Sequence, residues 1–253
     1  GALRVQPGLN SLSKAVKEAK EKNINCLFLE SGVHDEEGGN VTIDFALKVV
    51  GQNRDDVKIK AGLWIEGKKE EDVFFSDCTV TGAKRFFGIL SQTKNDGHGV
   101  YGVGCTSCAA AMDALYHGVD KSCPDCGGSG AAYGVEGAAV HLKNVCVENC
   151  GRCGVSVGSN PRNTMTDCNV NNNKESGVFV NGGGCMTIGG RATTIHDNCT
   201  GRDSRHYGLT AHGSSSIHLQ SLPHYASKNI QDNGGGGDQN NFNGGVKNIL
   251  TTW

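Results

Sequence analysis

Proline is scarce in this chain, with four residues in 253 against 38 glycines. That balance suits tight corners and argues against a disordered chain. Charge of one sign is also missing. With 24 Lys and Arg against 26 Asp and Glu, the net charge of −2 makes no strong field, so a basic nucleic-acid or membrane-surface binder is excluded. No apolar run approaches the roughly 20 residues needed to cross a bilayer. No signal peptide is visible from Gly1. Hydrophobic content is a modest 37%, and a helical period is absent from most of the chain.

A repeat takes its place. VHLKNVCVENCGRCGVSVGSN from Val140 aligns with NTMTDCNVNNNKESGVFVNGG from Asn163, and more loosely with the stretch from Met186 to Ser214. Val147 falls on Val170, and Gly154-Val155-Ser156-Val157 on Gly177-Val178-Phe179-Val180, both at an offset of 23. Gly208-Leu209-Thr210-Ala211 repeats the second strand at an offset of 31. Phe75 to Val80, followed by Gly88-Ile89-Leu90, fits as an earlier line. Short alternating strands with Asn, Gly and Asp corners at a period in the low twenties define a parallel β-solenoid. Leucine-rich repeats share the period, but their leucine spacing is lacking. The fold class is therefore all-β, a parallel β-helix.

One domain is expected over 1–232. Ser11 opens a helix within 10–22, whose apolar stripe Leu12, Ala15, Val16 and Ala19 covers the open end of the first coil. Ser11 is its expected N-cap and Asn23 its stop. Cys26-Leu27-Phe28-Leu29 reads as a buried strand and Ser31-Gly32-Val33-His34 as the turn into the first coil. Residues 91–139 break the period, as a loop inserted between neighbouring coils would. Residues 233–253 are rich in Gly and Asn and read as a tail or cap, with Val246, Ile249, Leu250 and Trp253 docking on the last coil.

The order SLSKAVKEAK, CLFLESGVHDE, VTIDFALKVVGQN, DDVKIKAGLWIEG resembles the opening of right-handed parallel β-helix proteins of the pectin-lyase-like superfamily. The resemblance is closest to its carbohydrate-binding and sugar-hydrolase repeat group, which includes periplasmic copper-site maturation proteins and F-box proteins with a β-helical substrate-binding part. It spans roughly residues 3–90 and 135–232. The superfamily holds lyases, epimerases, hydrolases and non-catalytic binders, so the resemblance implies the fold and its hand rather than one activity.

Twelve cysteines are many for such a chain. They suit disulfides in a secreted protein, or metal ligands and small buried apolar residues in a reducing compartment. Cys105-x-x-Cys108 and Cys123-x-x-Cys126 are paired knuckles suited to a tetrahedral, structural zinc site with four thiolate ligands. CPDCGGSG resembles one element of the zinc module of DnaJ-type chaperones, whereas CTSCAAAM lacks its glycines. Cys150-Gly151-Arg152-Cys153, near Cys146, is a third such spacing, at a corner where inward packing accounts for Cys150 or Cys153, with a second metal or redox role as the alternative. Cys78 and Cys168 occupy equivalent repeat positions and read as core. An intracellular, cytoplasmic setting follows, with a secreted one if the cysteines are oxidised.

Asp77, Asn144 and Asp167 precede their strands at equivalent positions, and Asn171, Asn172 and Asn173 fill a corner. Stacked Asn side chains satisfy one another and the turn amides. Calcium needs several carboxylates on adjacent coils, and Asp77 and Asp167 do not supply them. If Val155, Val157, Val178, Val180, Leu209 and Ala211 point inward, Ser156, Phe179 and Thr210 form an outward column, joined by Glu136. These four are the candidate ligand-binding residues. Arg205, His206, Tyr207 and His212 are the candidate catalytic set, able to supply the cation, base and acid of a uronate lyase or C5 epimerase. The paired arginines of pectate lyases, the Asp-Pro-His-Asp of alginate epimerases and the aspartate cluster of polygalacturonases are absent. The expected function is a non-catalytic recognition module that binds a protein or polysaccharide partner through a strand face, with structural zinc. A polysaccharide-active enzyme is the alternative.

Overall fold

Alternation decides the strands. In Val140–Lys143, Asn163–Thr166 and Ser216–Gln220 every second side chain is buried, so each strand has one dry face and one wetter face. The protein, seen in a computed structural model, is described at residues 1–68, 70–83, 88–91, 138–158, 162–181, 183–201, 206–212, 215–220, 229–234, 242–243 and 249–252. These belong to the unit Gly1–Thr93 with Glu136–Trp253. The other unit, Lys94–Val135, lies outside the described residues.

Among the described residues the strands pair in parallel into a nine-stranded and a thirteen-stranded sheet. The expected alignments hold. Val147 pairs with Val170, Val155 with Val178, and Val178 with Leu209. The earlier line is in register too, Phe75 opposite Leu142 and Val80 opposite Val147. One apolar ladder runs Leu27, Val49, Phe75, Leu142, Met165, Ile188, Leu219, with every member at most 2% exposed. A second runs Ile59, Val80, Val147, Val170, Ile195, Ile230. Each such side chain contributes about 1.5–3 kcal/mol when buried, and only stacking on the next coil buries it. The chain is a solenoid for that reason.

Corners repeat as strictly as strands. Asn149, Asn172, Asp197 and Asp232 all have φ between 52° and 55°, and Asp77, Asn144 and Asp167 between 52° and 57°. Asn and Asp tolerate this left-handed region better than other side chains, which explains the choice of residue. Just past the first column stands a buried amide ladder. Asn173 Nδ2 donates to Asn198 Oδ1 at 2.8 Å, and Asn198 Nδ2 to Asn233 Oδ1 at 2.9 Å. Cys150 holds the equivalent place one coil earlier, and its backbone amide donates to Asn173 Oδ1 at 3.1 Å. The sequence leads one to expect stacked Asn at this corner from Asn173. Asn198 and Asn233 extend the stack across longer, irregular coils that conceal them in the sequence.

The helix spans Ser11–Glu21 and buries Leu12, Ala15, Val16 and Ala19, as its stripe predicts. Its start differs from expectation. Asn10, at φ 52°, is the N-cap residue and makes no side-chain cap bond. Glu36, from the strand Gly32–Ile43, supplies the cap instead: its Oε1 accepts from the amides of Leu12 at 2.9 Å and Ser13 at 3.3 Å. A carboxylate there also meets the positive end of the helix. Asn23 at φ 53° ends the helix, with the Ile24 amide bonded to Ala19 O at 2.8 Å. The expected turn over 31–34 shrinks to a bend at Ser31, because a strand begins at Gly32. Gly32 has φ 134°, and a Cβ would sit 2.7 Å from the Pro7 side chain.

In the stretch 233–253, expected as a tail or cap, Phe242–Asn243 pairs with Leu209–Thr210 and Ile249–Thr252 with Ile217–Gln220. These segments add strands to both sheets. No helix among the described residues is long and apolar enough to cross a membrane.

Candidate functional site

The registers Val155 to Val178 to Leu209 place Ser156, Phe179 and Thr210 in one column, as the sequence predicts. The expected outward, solvent-presented face is corrected, however. These side chains are 2%, 4% and 3% exposed. Parity tells on which side of a strand a residue stands, but not whether that side is covered. Part of this column is polar and internally satisfied: Ser176 Oγ lies 3.0 Å from Thr210 Oγ1. Glu136 lies outside the described residues, as do Arg205 and the four zinc-knuckle cysteines Cys105, Cys108, Cys123 and Cys126.

At the corner entering these strands, the same register stacks Arg152, Glu175 and His206 on consecutive coils, with Cys153, Ser176 and Tyr207 next to them. Arg152 Nε donates to Glu175 Oε1 at 3.2 Å. The Cys153 thiol lies 3.5 Å from Glu175 Oε2, and His206 Nδ1 lies 3.5 Å from Ser176 Oγ. Ligand atoms of Cys153, Glu175 and His206 all fall within 4.8 Å of one another. Burial, then the Glu175 charge, pushes the Cys153 thiol well up, so it is no ready nucleophile. The candidate catalytic set is thus divided. His206 and Tyr207 stand together at the entry of the strand Leu209–Ala211, and exposed His212 stands at its exit.

A second polar constellation lies on the outer face of the nine-stranded sheet. The column Lys48, Phe74, His141, Thr164, Thr187, His218 crosses six consecutive strands. Phe74 is 47% exposed and stacks on His141, with ring centroids 4.5 Å apart and planes inclined at 19°. His141 Nδ1 lies 2.9 Å from Thr164 Oγ1, and its Nε2 lies 3.5 Å from Asp72 Oδ2. Arg162 donates to both oxygens of Asp72, at 2.6 and 3.0 Å, and the Ala139 amide adds a bond at 2.9 Å. Burial pushes the Asp72 carboxyl up, but these donors outweigh it and hold the group below its ordinary range. Nothing in the sequence singles out this face. Its members are separated by the insertion, and although the aligned repeat sets Phe74 over His141, it does not show that Phe74 is exposed.

Among the described residues Cys78, Cys146, Cys150, Cys168, Cys185 and Cys199 behave as small core residues, and Cys26 is half-buried. Cys78 and Cys168 are fully buried. Burial pushes the Cys168 thiol up to about 11 and the Cys150 thiol up to about 12. The eight cysteines among the described residues are free of disulfides. Asp77 accepts from Asn144 Nδ2 at 2.8 Å, and Asp167 Oδ1 from the Ala192 amide at 3.1 Å, so both carboxylates serve their corners.

Stacked parallel coils with an apolar bore, asparagine corners and a polar outer sheet face define the class as a parallel β-helix. The family described as right handed beta helix region matches residues 24–222, and the chain belongs to it. Comparisons with curated proteins and with solved structures found no match.

Proposed function

We propose that the protein is a non-catalytic recognition module that binds a glycan chain along the outer face of its nine-stranded sheet. One observation carries the reading: Phe74 is the sole aromatic among the exposed large hydrophobic residues described, and it lies flat on His141 in the middle of that column. A flat, partly apolar platform suits the C–H face of a sugar ring. Thr164, Thr187, His218 and Lys48 offer hydrogen bonds at the strand spacing of about 4.8 Å, along which an extended polymer runs. Asp72 and Arg162 satisfy each other, so they stiffen the platform rather than perform acid–base work. The proposal keeps the resemblance to the carbohydrate-binding group of the pectin-lyase-like superfamily, the structural zinc at Cys105, Cys108, Cys123 and Cys126, and the reducing compartment that the paired C-x-x-C spacing suggests.

The alternative of a uronate lyase or C5 epimerase rests on the pairing of His206 with Tyr207 at one corner. It would require Arg205 beside them and an open cleft around the pair.

The test is affinity electrophoresis of the full chain against neutral and acidic polysaccharides. Retention by at least one glycan is expected, weakened several-fold by Phe74→Ala, in line with the roughly 0.5–1.5 kcal/mol of an aromatic contact. Phe74 is exposed, so the variant keeps its fold, which circular dichroism checks. Retention by none of them, or retention indifferent to Phe74, rejects the reading.

A further inference from the structure

We infer that Cys153, Glu175 and His206 form a binding site for a divalent transition-metal ion of the zinc type, separate from the cysteine knuckles of the insertion. The donor atoms already converge within 4.8 Å. Tetrahedral zinc, with bonds of about 2.0–2.3 Å, holds its donors roughly 3.5 Å apart, so side-chain rotation closes the set. The donors are one sulfur, one carboxylate oxygen and one imidazole nitrogen. Calcium and magnesium take oxygen shells and fit poorly, whereas zinc accepts all three donor types.

The surroundings orient the ligands. Arg152 engages Glu175 Oε1 and leaves Oε2 facing the Cys153 sulfur, which is how outer groups aim a ligating carboxylate. A backbone hydrogen bond from Ser176 also reaches the sulfur. The ion would neutralise the thiolate beside the carboxylate, a pairing that is otherwise repulsive. Cys153 is buried, while Glu175 and His206 keep partial exposure, so an ion enters from their side. Three protein ligands leave a fourth position for water.

The placement has a mechanical sense. The three ligands come from consecutive coils, Cys153 lying 22 residues before Glu175 and Glu175 31 before His206, because the last coil is longer than the regular ones. An ion there ties the lengthened coil back to the regular ones. Arg152, Glu175 and His206 share one register position, so the signal is readable once the repeat is aligned.

The experiment is a Co(II) titration of the full chain in which Cys105, Cys108, Cys123 and Cys126 are all replaced by Ser. About one equivalent should bind, with the near-ultraviolet charge-transfer band of a Co(II)–thiolate bond. Cys153→Ser should abolish the band, and His206→Ala should weaken binding about a hundredfold or more. Zinc should raise the melting temperature of the parent and not of the His206→Ala protein. If the four-serine chain fails to fold, the chain with its knuckles intact takes its place, and His206→Ala should lower the bound metal by one equivalent. No cobalt bound outside the knuckles, or binding indifferent to both Glu175→Gln and His206→Ala, overturns the site.

Discussion

Arg162 and Asp72 stand 90 residues apart in sequence, yet the guanidinium grips both carboxylate oxygens, at 2.6 and 3.0 Å. The pair joins a coil before the insertion to one after it. The Arg side chain is 35% exposed and the Asp 17%, so its contribution lies towards the modest end for ion pairs. Arg162→Ala should destabilise the protein by about 1 kcal/mol, read as a lower urea midpoint. Arg162→Lys should recover only part of the loss, because an ammonium cannot make the two-pronged contact. Equal midpoints for all three proteins would show that the pair contributes nothing.

The amide ladder is deeper and costs more to break. Asn198 Nδ2 donates to Val170 O, His196 O and Asn233 Oδ1, and its Oδ1 accepts from the Asn173 amide and Nδ2. Replacing Asn198 by Ala strips partners from buried groups on three coils. We expect a loss of roughly 2–4 kcal/mol, at about 1–3 kcal/mol per group left unsatisfied. Asn198→Asp should be comparably harmful at neutral pH, since it buries a charge. Wild-type stability in either variant would show that the ladder only records the packing of the coils.

His34 predicts a pH dependence. It is fully buried, with Nε2 3.1 Å from Glu30 O and Nδ1 2.8 Å from Ser11 Oγ. A carbonyl only accepts, so Nε2 carries a proton, and in the neutral ring that burial favours Nδ1 accepts from the hydroxyl. Burial lowers its pKa, against weaker opposing effects of Glu30 O and the Glu36 charge. A depressed folded-state pKa means that the unfolded chain binds the proton more readily. The stability contributed is therefore complete above the ordinary value of 6.5 and falls away as pH drops towards the folded-state value. Urea midpoints at pH 7.5 and 5.5 should fall more steeply for the wild type than for His34→Gln, and parallel falls would remove His34 from the account.

Much of the fold was legible because a solenoid writes its contacts into its period. Val147 over Val170 and Val155 over Val178 are at once sequence matches and strand partners. The stripe Leu12, Ala15, Val16, Ala19 marks the buried face of the helix, since 3.6 residues per turn permit no other. Caps are less legible. Glu36 lies 24 residues from the Leu12 amide it satisfies, and no local pattern connects them.

The sequence by itself determined the coil: alternation sets which side chains enter the bore, and Asn or Asp marks most of the left-handed corners, with Gly82 and Gly190 at others. It also set the column Ser156, Phe179, Thr210. Tertiary structure alone decided that this column is covered, while Phe74 on the other sheet is open and rests on His141. The aligned repeat sets Glu175 and His206 on one register position beside Cys153, but only the folded chain turns the three ligand atoms to within 4.8 Å of one another. Periodicity constrains the direction of a side chain relative to its own strand. Exposure and chemical neighbourhood depend on what other coils place beside it, and that is settled only when the chain is folded.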